Sequence, residues 1–204
     1  MQRAIRVTAL TLLVALSTFA VSRDFWHELM LGNDRFVGGR LVYAHLKQQR
    51  NDNREHQYPP VTVLSCADSR VPPELIFDHS IGEIFVIRVA GNVTDQFPLA
   101  SIEYAVAKGY TKMIVVMGHQ DCGAVRAAIE GKPTGSDDLD ALVKRIKDNI
   151  GGTTDLKAAT EINARKSAEY LTEKSKIIRD AVRDKRVEIV VAYYDFDGRV
   201  RKVD

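Results

Sequence analysis

Three side chains suited to a soft metal stand at the ends of two apolar runs in this sequence. Cys66 follows VTVLS, and His119 and Cys122 follow MIVVMG as an H-x-x-C pair. Two thiolates and one imidazole suit zinc, which takes nitrogen and sulfur tetrahedrally; three protein donors leave a fourth position open for chemistry. The same residues also admit a Cys66–Cys122 disulfide, or two ordinary buried thiols. H-x-x-C alone does not separate these readings. Asp68 and Arg70 follow Cys66 on alternate positions, in CADSR. On an open surface such a pair would contribute almost nothing. Beside a metal, the Arg70 fork would keep Asp68 ionised and aimed at a metal-held water. A freed Asp68 would instead take the fourth position and close the site.

Positioning these residues falls to a small set of elements. VTVLS (Val61 to Ser65), rich in β-branched residues and preceded by Pro59-Pro60, predicts a strand. IFVIRVAGN (Ile84 to Asn92) and MIVVMG (Met113 to Gly118) predict two more. VEIVVAYYD (Val187 to Asp195) predicts a fourth, with Asp197-Gly198 turning into a short return strand through Val200. Between them, PLASIEYAVAKG suits a helix from near Pro98 to Gly109. CGAVRAAIEG suits a second, with Cys122 at its start and Gly131 at its end. Leu139 to Lys185 reads as two helices separated by GGTTD. Residues Arg23 to Arg50 read as helical, interrupted at Gly38-Gly39, with Phe25, Trp26, Leu29 and Met30 at helical spacing and then Leu41, Ala44 and His45.

Strands alternating with helices give an α/β fold: a central, mostly parallel β-sheet flanked by helices, with an N-terminal helical arm. Cys66 and His119 then lie just past strand carboxyl ends, where open parallel sheets gather their ligands. Neighbouring strands run about 5 Å apart, so one site can hold Cys66 with the His119/Cys122 pair.

The 204 residues suffice for one domain with a substantial core. The first 22 carry a basic start at Arg3 and Arg6, an apolar stretch from about Val7 to Val21, and small residues at Thr18, Ala20 and Ser22. These are the parts of a secretory signal peptide, and the stretch is short for a spanning helix. The expected organisation is a signal over 1–22, then one domain over 23–204 whose residues 23–50 form the arm. Export to the periplasm follows, with no membrane span once the signal is removed. Formal net charge is +2, and losing Arg3 and Arg6 would balance acids and bases. That balance, and the lack of a basic cluster interleaved with aromatics, argue against nucleic acid as a partner.

CADSR and GHQDCG, taken together and in register, resemble the paired signatures of bacterial β-class carbonic anhydrases. IGEIFVIRVAGNV, SIEYAV and VEIVVAYYDFDGRV are similar to the family in order and spacing, and GNDRFVGG is similar to its arm. The likeness runs from about Trp26 onward and is poor between Gly131 and Asn163. The resemblance implies one Zn²⁺ per subunit on Cys66, His119 and Cys122. It makes Asp68 and Arg70 the catalytic dyad, with Asp68 a fourth ligand in a closed state. It implies reversible hydration of carbon dioxide to bicarbonate and a proton, by attack of zinc-bound hydroxide. Gly91, Asn92 and Val93 resemble the turn beside the substrate pocket.

It also implies a homodimer or larger homo-oligomer, with Phe25, Trp26 and Phe36 as candidate arm contacts. His27, His45, His56 and His79 are the remaining imidazoles, and nothing in the sequence selects a proton shuttle among them. Three alternatives share the same letters. One is a zinc hydrolase of carbonyl sulfide or carbon disulfide; another is a non-catalytic zinc scaffold, which would not need Asp68 and Arg70. The third is a redox protein cycling Cys66 and Cys122.

Overall fold

The computed structural model describes residues 23–42 and 46–203. The expected signal segment and His45 lie outside the described residues. The chain runs α1 (Phe25–Val37), α2 (Leu46–Asp52), β1 (Val61–Ser65), α3 (Pro73–Ile76), β2 (Ile84–Arg88), a 3₁₀ turn (Ala90–Asn92) and α4 (Gln96–Ala107). It continues through β3 (Met113–His119), α5 (Gly123–Glu130), α6 (Asp137–Ile150), α7 (Leu156–Lys174), α8 (Lys176–Arg183), β4 (Glu188–Tyr194) and β5 (Val200–Lys202).

The five strands form one sheet in the order β2-β1-β3-β4-β5. All neighbours are parallel except β4 and β5, which pair antiparallel. The period-two alternation of strands decides which side chain meets which layer. Val61, Val63, Met113, Val115, Met117, Val190 and Ala192 enter one core with Leu29, Phe77 and Ile146. Leu64, Ile114 and Val116 point the other way, onto Ile102, Leu171 and Ile178 of α4, α7 and α8. Helices therefore cover both faces, which accounts for the burial of every residue of β1 and β3 and for the largely apolar letters of β3.

Several boundaries differ from the sequence reading. β2 stops at Arg88, and the chain folds into the 3₁₀ turn, with Gly91 at φ +64 and Asn92 at φ +43. α4 begins two residues before Pro98; a proline is tolerated there because first-turn N–H groups have no helical partner. β3 runs one residue further than expected, so His119 is its last residue. Pro72 and Pro73 stand at the N-cap and first position of the short helix α3. The region from Leu139 to Lys185 holds three helices, not two. Ser175 ends α7, and its side chain accepts the Ile178 N–H to cap α8. Leu41 lies outside any helix.

The N-terminal helix lies on its own chain. Asn33 Nδ2 donates to the carbonyls of Ile76 (3.0 Å) and Gly198 (2.8 Å), and Oδ1 accepts the Val200 N–H (3.0 Å). At Gly32 the backbone approaches Phe77 so closely that an added Cβ would sit 1.8 Å from its carbonyl oxygen. Phe25, Trp26 and Phe36, expected as arm contacts, pack partly buried against the first core. Among the described residues no helix is long and apolar enough to cross a membrane.

Candidate metal centre

Parallel register brings the donors together. Ser65 pairs with Met117 across β1 and β3, so Cys66 emerges level with Gly118, one residue before His119. Cys122 then sits at the N-cap of α5, where the helix's free N–H groups favour a thiolate. The ligand atoms of Cys66, His119 and Cys122 all lie within 4.8 Å of one another, and all three residues are buried. Both cysteines are free thiols, as a metal site requires and a disulfide does not.

The donor set fits zinc in detail. His119 Nδ1 lies 2.8 Å from the carbonyl oxygen of Gln120, an acceptor only, so Nδ1 carries the proton. Nε2 keeps its lone pair, is buried, and has no protein partner. An orphaned buried nitrogen facing two sulfurs is what an imidazole ligand with a fixed tautomer looks like. The thiols are coupled. Hydrogen bonding from Cys122, with the backbone at Asp68 and Gly91, pushes Cys66 down to about 4. The resulting thiolate, together with burial, pushes Cys122 far up. Two sulfurs this close ionise together only beside a cation.

Asp68 and Arg70 form the fork expected of them. Arg70 Nε and its own backbone N–H both donate to Asp68 Oδ1 at 2.9 Å, and Nη2 donates to Oδ2 at 2.7 Å. This pairing holds the Asp68 carboxyl well below the usual carboxylate range. The carboxylate thus faces the arginine and stands outside the three-atom donor cluster. Arg70 stacks on Phe196, with its guanidinium carbon 4.4 Å from the ring centroid, and Phe196 lies 6.1 Å from the His119 ring.

Several supporting residues escaped the sequence reading. Arg88, at the end of β2, donates to the carbonyl of Cys66 (3.1 Å) and of Asp68 (2.5 Å), tying down the backbone of CADSR. Gln120 Oε1 accepts the Phe196 N–H at 2.8 Å, which fixes the ring under Arg70. A guanidinium closing the otherwise apolar IFVIR was the one available signal. Gly91 comes to the site through its backbone: its N–H donates to Cys66 Sγ at 3.2 Å. Asn92 is fully buried with neither amide atom partnered. Val93 lines a cavity of about 480 Å³ with Val89, Leu142, Arg145 and Tyr170. None of His27, His56 and His79 lines the cavity that borders the metal loop at Gln120, Asp121 and Phe196.

A carbonic anhydrase family model matches residues 61–200. The chain is 33% identical to a carbonic anhydrase of Mycolicibacterium smegmatis over 185 residues, covering 86% of this chain and 90% of that one. The chain belongs to the β-class carbonic anhydrase family. It is also 46% identical over 108 residues to carbonic anhydrase 2 of Mycobacterium tuberculosis; that match covers 51% of either chain, so it spans about half the length of this relative. In fold, it is similar to the β-carbonic anhydrase CafA of Aspergillus fumigatus, with TM-score 0.69, 24% identity, and 89% and 91% of the two chains covered. The β-carbonic anhydrase letters CADSR and GHQDCG are the residues the fold brings to one point.

Proposed function

We propose that this chain catalyses the reversible hydration of carbon dioxide to bicarbonate and a proton. One observation carries the reading: an arginine-held carboxylate beside a buried set of two sulfurs and one imidazole with a free Nε2. A structural zinc site has no use for that carboxylate, and a redox pair has no use for the imidazole. Cys66 Sγ, His119 Nε2 and Cys122 Sγ would hold one Zn²⁺ per subunit. Bound zinc supplies the Lewis acidity that makes a water nucleophilic toward carbon dioxide near neutral pH.

Orientation is the work of Asp68. Its Oδ1 receives two N–H donors from Arg70, whereas Oδ2 receives one. Oδ2 therefore keeps a lone pair for a hydrogen of the attacking water, which turns the water's own lone pair toward carbon. In the reverse direction the same oxygen accepts only from the hydroxyl of bicarbonate, and so selects which C–O bond breaks. Arg70 keeps the acceptor charged, and Phe196 keeps Arg70 in place. Gly91 steadies the Cys66 sulfur, and Asn92 beside it offers an unpaired amide. Replacing Asp68 by Ala should leave zinc content intact while hydration falls roughly a hundredfold or more. Loss of the metal, or undiminished turnover, would contradict the assignment.

We also infer export and self-association. The N-terminal letters MQRAIRVTALTLLVALSTFAVS support the first. Exposed Tyr58, Phe97 and Tyr104, and the open edge of β2, support the second. Cell fractionation with N-terminal mass analysis, and sedimentation, check both; an uncut cytoplasmic monomer is the contrary result.

A further inference from the structure

Gly91 is gripped from two sides by α6 and α7. Its φ of +64 is open to glycine, and an added Cβ would lie 2.6 Å from Ile146 Cδ1 of α6. On the other side, Asn163 of α7 donates from Nδ2 to the Gly91 carbonyl at 2.7 Å. Asn163 is fully buried. Its Oδ1 accepts in turn from Asn149 Nδ2 of α6 at 2.9 Å, so the amide cannot rotate without losing both bonds. The far end of this chain is the Gly91 N–H, 3.2 Å from Cys66 Sγ.

Glycine is the residue whose flanking peptides rotate most freely. Anchoring the Gly91 carbonyl restricts that rotation and so fixes the direction of its N–H. An N–H aimed at a thiolate draws charge from the sulfur and holds it in place. Groups one contact removed from a metal ligand set its orientation and donor strength in this way. A bond of this kind to a neutral backbone carbonyl would serve packing equally well if it ended there; here it continues to a metal donor.

We propose that Asn163 is a positioning residue for the metal centre, acting through the Gly91 backbone on the Cys66 sulfur, with Asn149 holding its amide. The proposal rests on reading Cys66, His119 and Cys122 as a zinc site. It assigns a task to α6 and α7, which make up most of the region from Gly131 to Asn163.

Two variants of the full chain test it, Asn163→Ala and Asn149→Ala. Zinc affinity is measured by competition with a chelator, and sulfur donation by the thiolate-to-metal charge-transfer band of the cobalt(II)-substituted protein. Asn163→Ala should weaken zinc binding about tenfold, the low end for such supporting groups. The band should move to lower energy, because a sulfur without its N–H donor gives up electrons more easily. Asn149→Ala should do the same to a smaller extent. Wild-type zinc affinity and an unshifted band in both variants would overturn the proposal, even if thermal stability fell, because packing alone would then explain Asn163. If Asn163→Ala does not fold, Asn149→Ala decides by the same two readouts. A wild-type protein that takes up no zinc would overturn the metal reading itself, a result distinct from metal that binds with unchanged affinity in the variants.

Discussion

Asp68 owes its charge to a neighbour two residues away. The fork from Arg70 holds its carboxyl far below the ordinary value of about 3.9. A carboxyl depressed on folding adds stability above that ordinary value, and the contribution is lost as pH falls through the depressed one. In metal-free protein, Asp68→Asn should therefore lower the urea midpoint at neutral pH and still lower it near about pH 3. The deficit should close only in stronger acid; closure already near pH 4 would mean that the fork does not hold in solution. Cys66, His119 and Cys122 were legible as candidate donors from their type and their place at strand ends, and the resemblance carried by CADSR with GHQDCG singled them out together with Asp68 and Arg70. Arg88 and Asn163 were not. Each acts on the backbone of a residue distant in sequence, 22 positions away for Arg88 and Cys66 and 72 for Asn163 and Gly91. Such contacts depend on strand register and helix placement, which no local pattern encodes.

At the scale of elements, the strands were read best. β1 and β5 fell where their patterns put them, because burial on both faces or a tight turn marks a strand plainly. The end of β2 was misread for a physical reason. Val89 and Ala90 carry apolar letters on past Arg88, but the Val89 N–H already bonds the Ser65 carbonyl as the chain leaves the sheet, and Gly91 then takes a left-handed conformation. The break between α7 and α8 was hidden in a similar way. Ser175 lies in a continuous helical pattern, and only its cap on Ile178 and its bond to Glu103 reveal a boundary. The 3₁₀ turn is the element whose geometry matters most to the site. Gly91→Ala should cost about 1–2 kcal/mol for the left-handed backbone alone, with a further penalty as Ile146 gives way. Denaturant titration measures this; a variant as stable as the parent would show that the turn relaxes freely.

The whole molecule is a sheet that delivers donors from two adjacent strand ends, with helices bracing them from either face. The arm contributes by closing the β5 side, since Asn33 ties α1 to Ile76, Gly198 and Val200. Its aromatic residues Phe25, Trp26 and Phe36 rest partly buried against the first core. The α/β class, the parallel sheet and the flanking helices followed from alternation of element types, whereas the path of the arm depended on long-range contacts. The most direct test is a carbon dioxide hydration assay on wild-type protein with zinc content determined on the same sample. Turnover that rises in proportion to zinc, reaching its maximum at one zinc per subunit and disappearing on chelation, is the predicted result. Protein carrying one zinc per subunit that hydrates carbon dioxide no faster than buffer would contradict it.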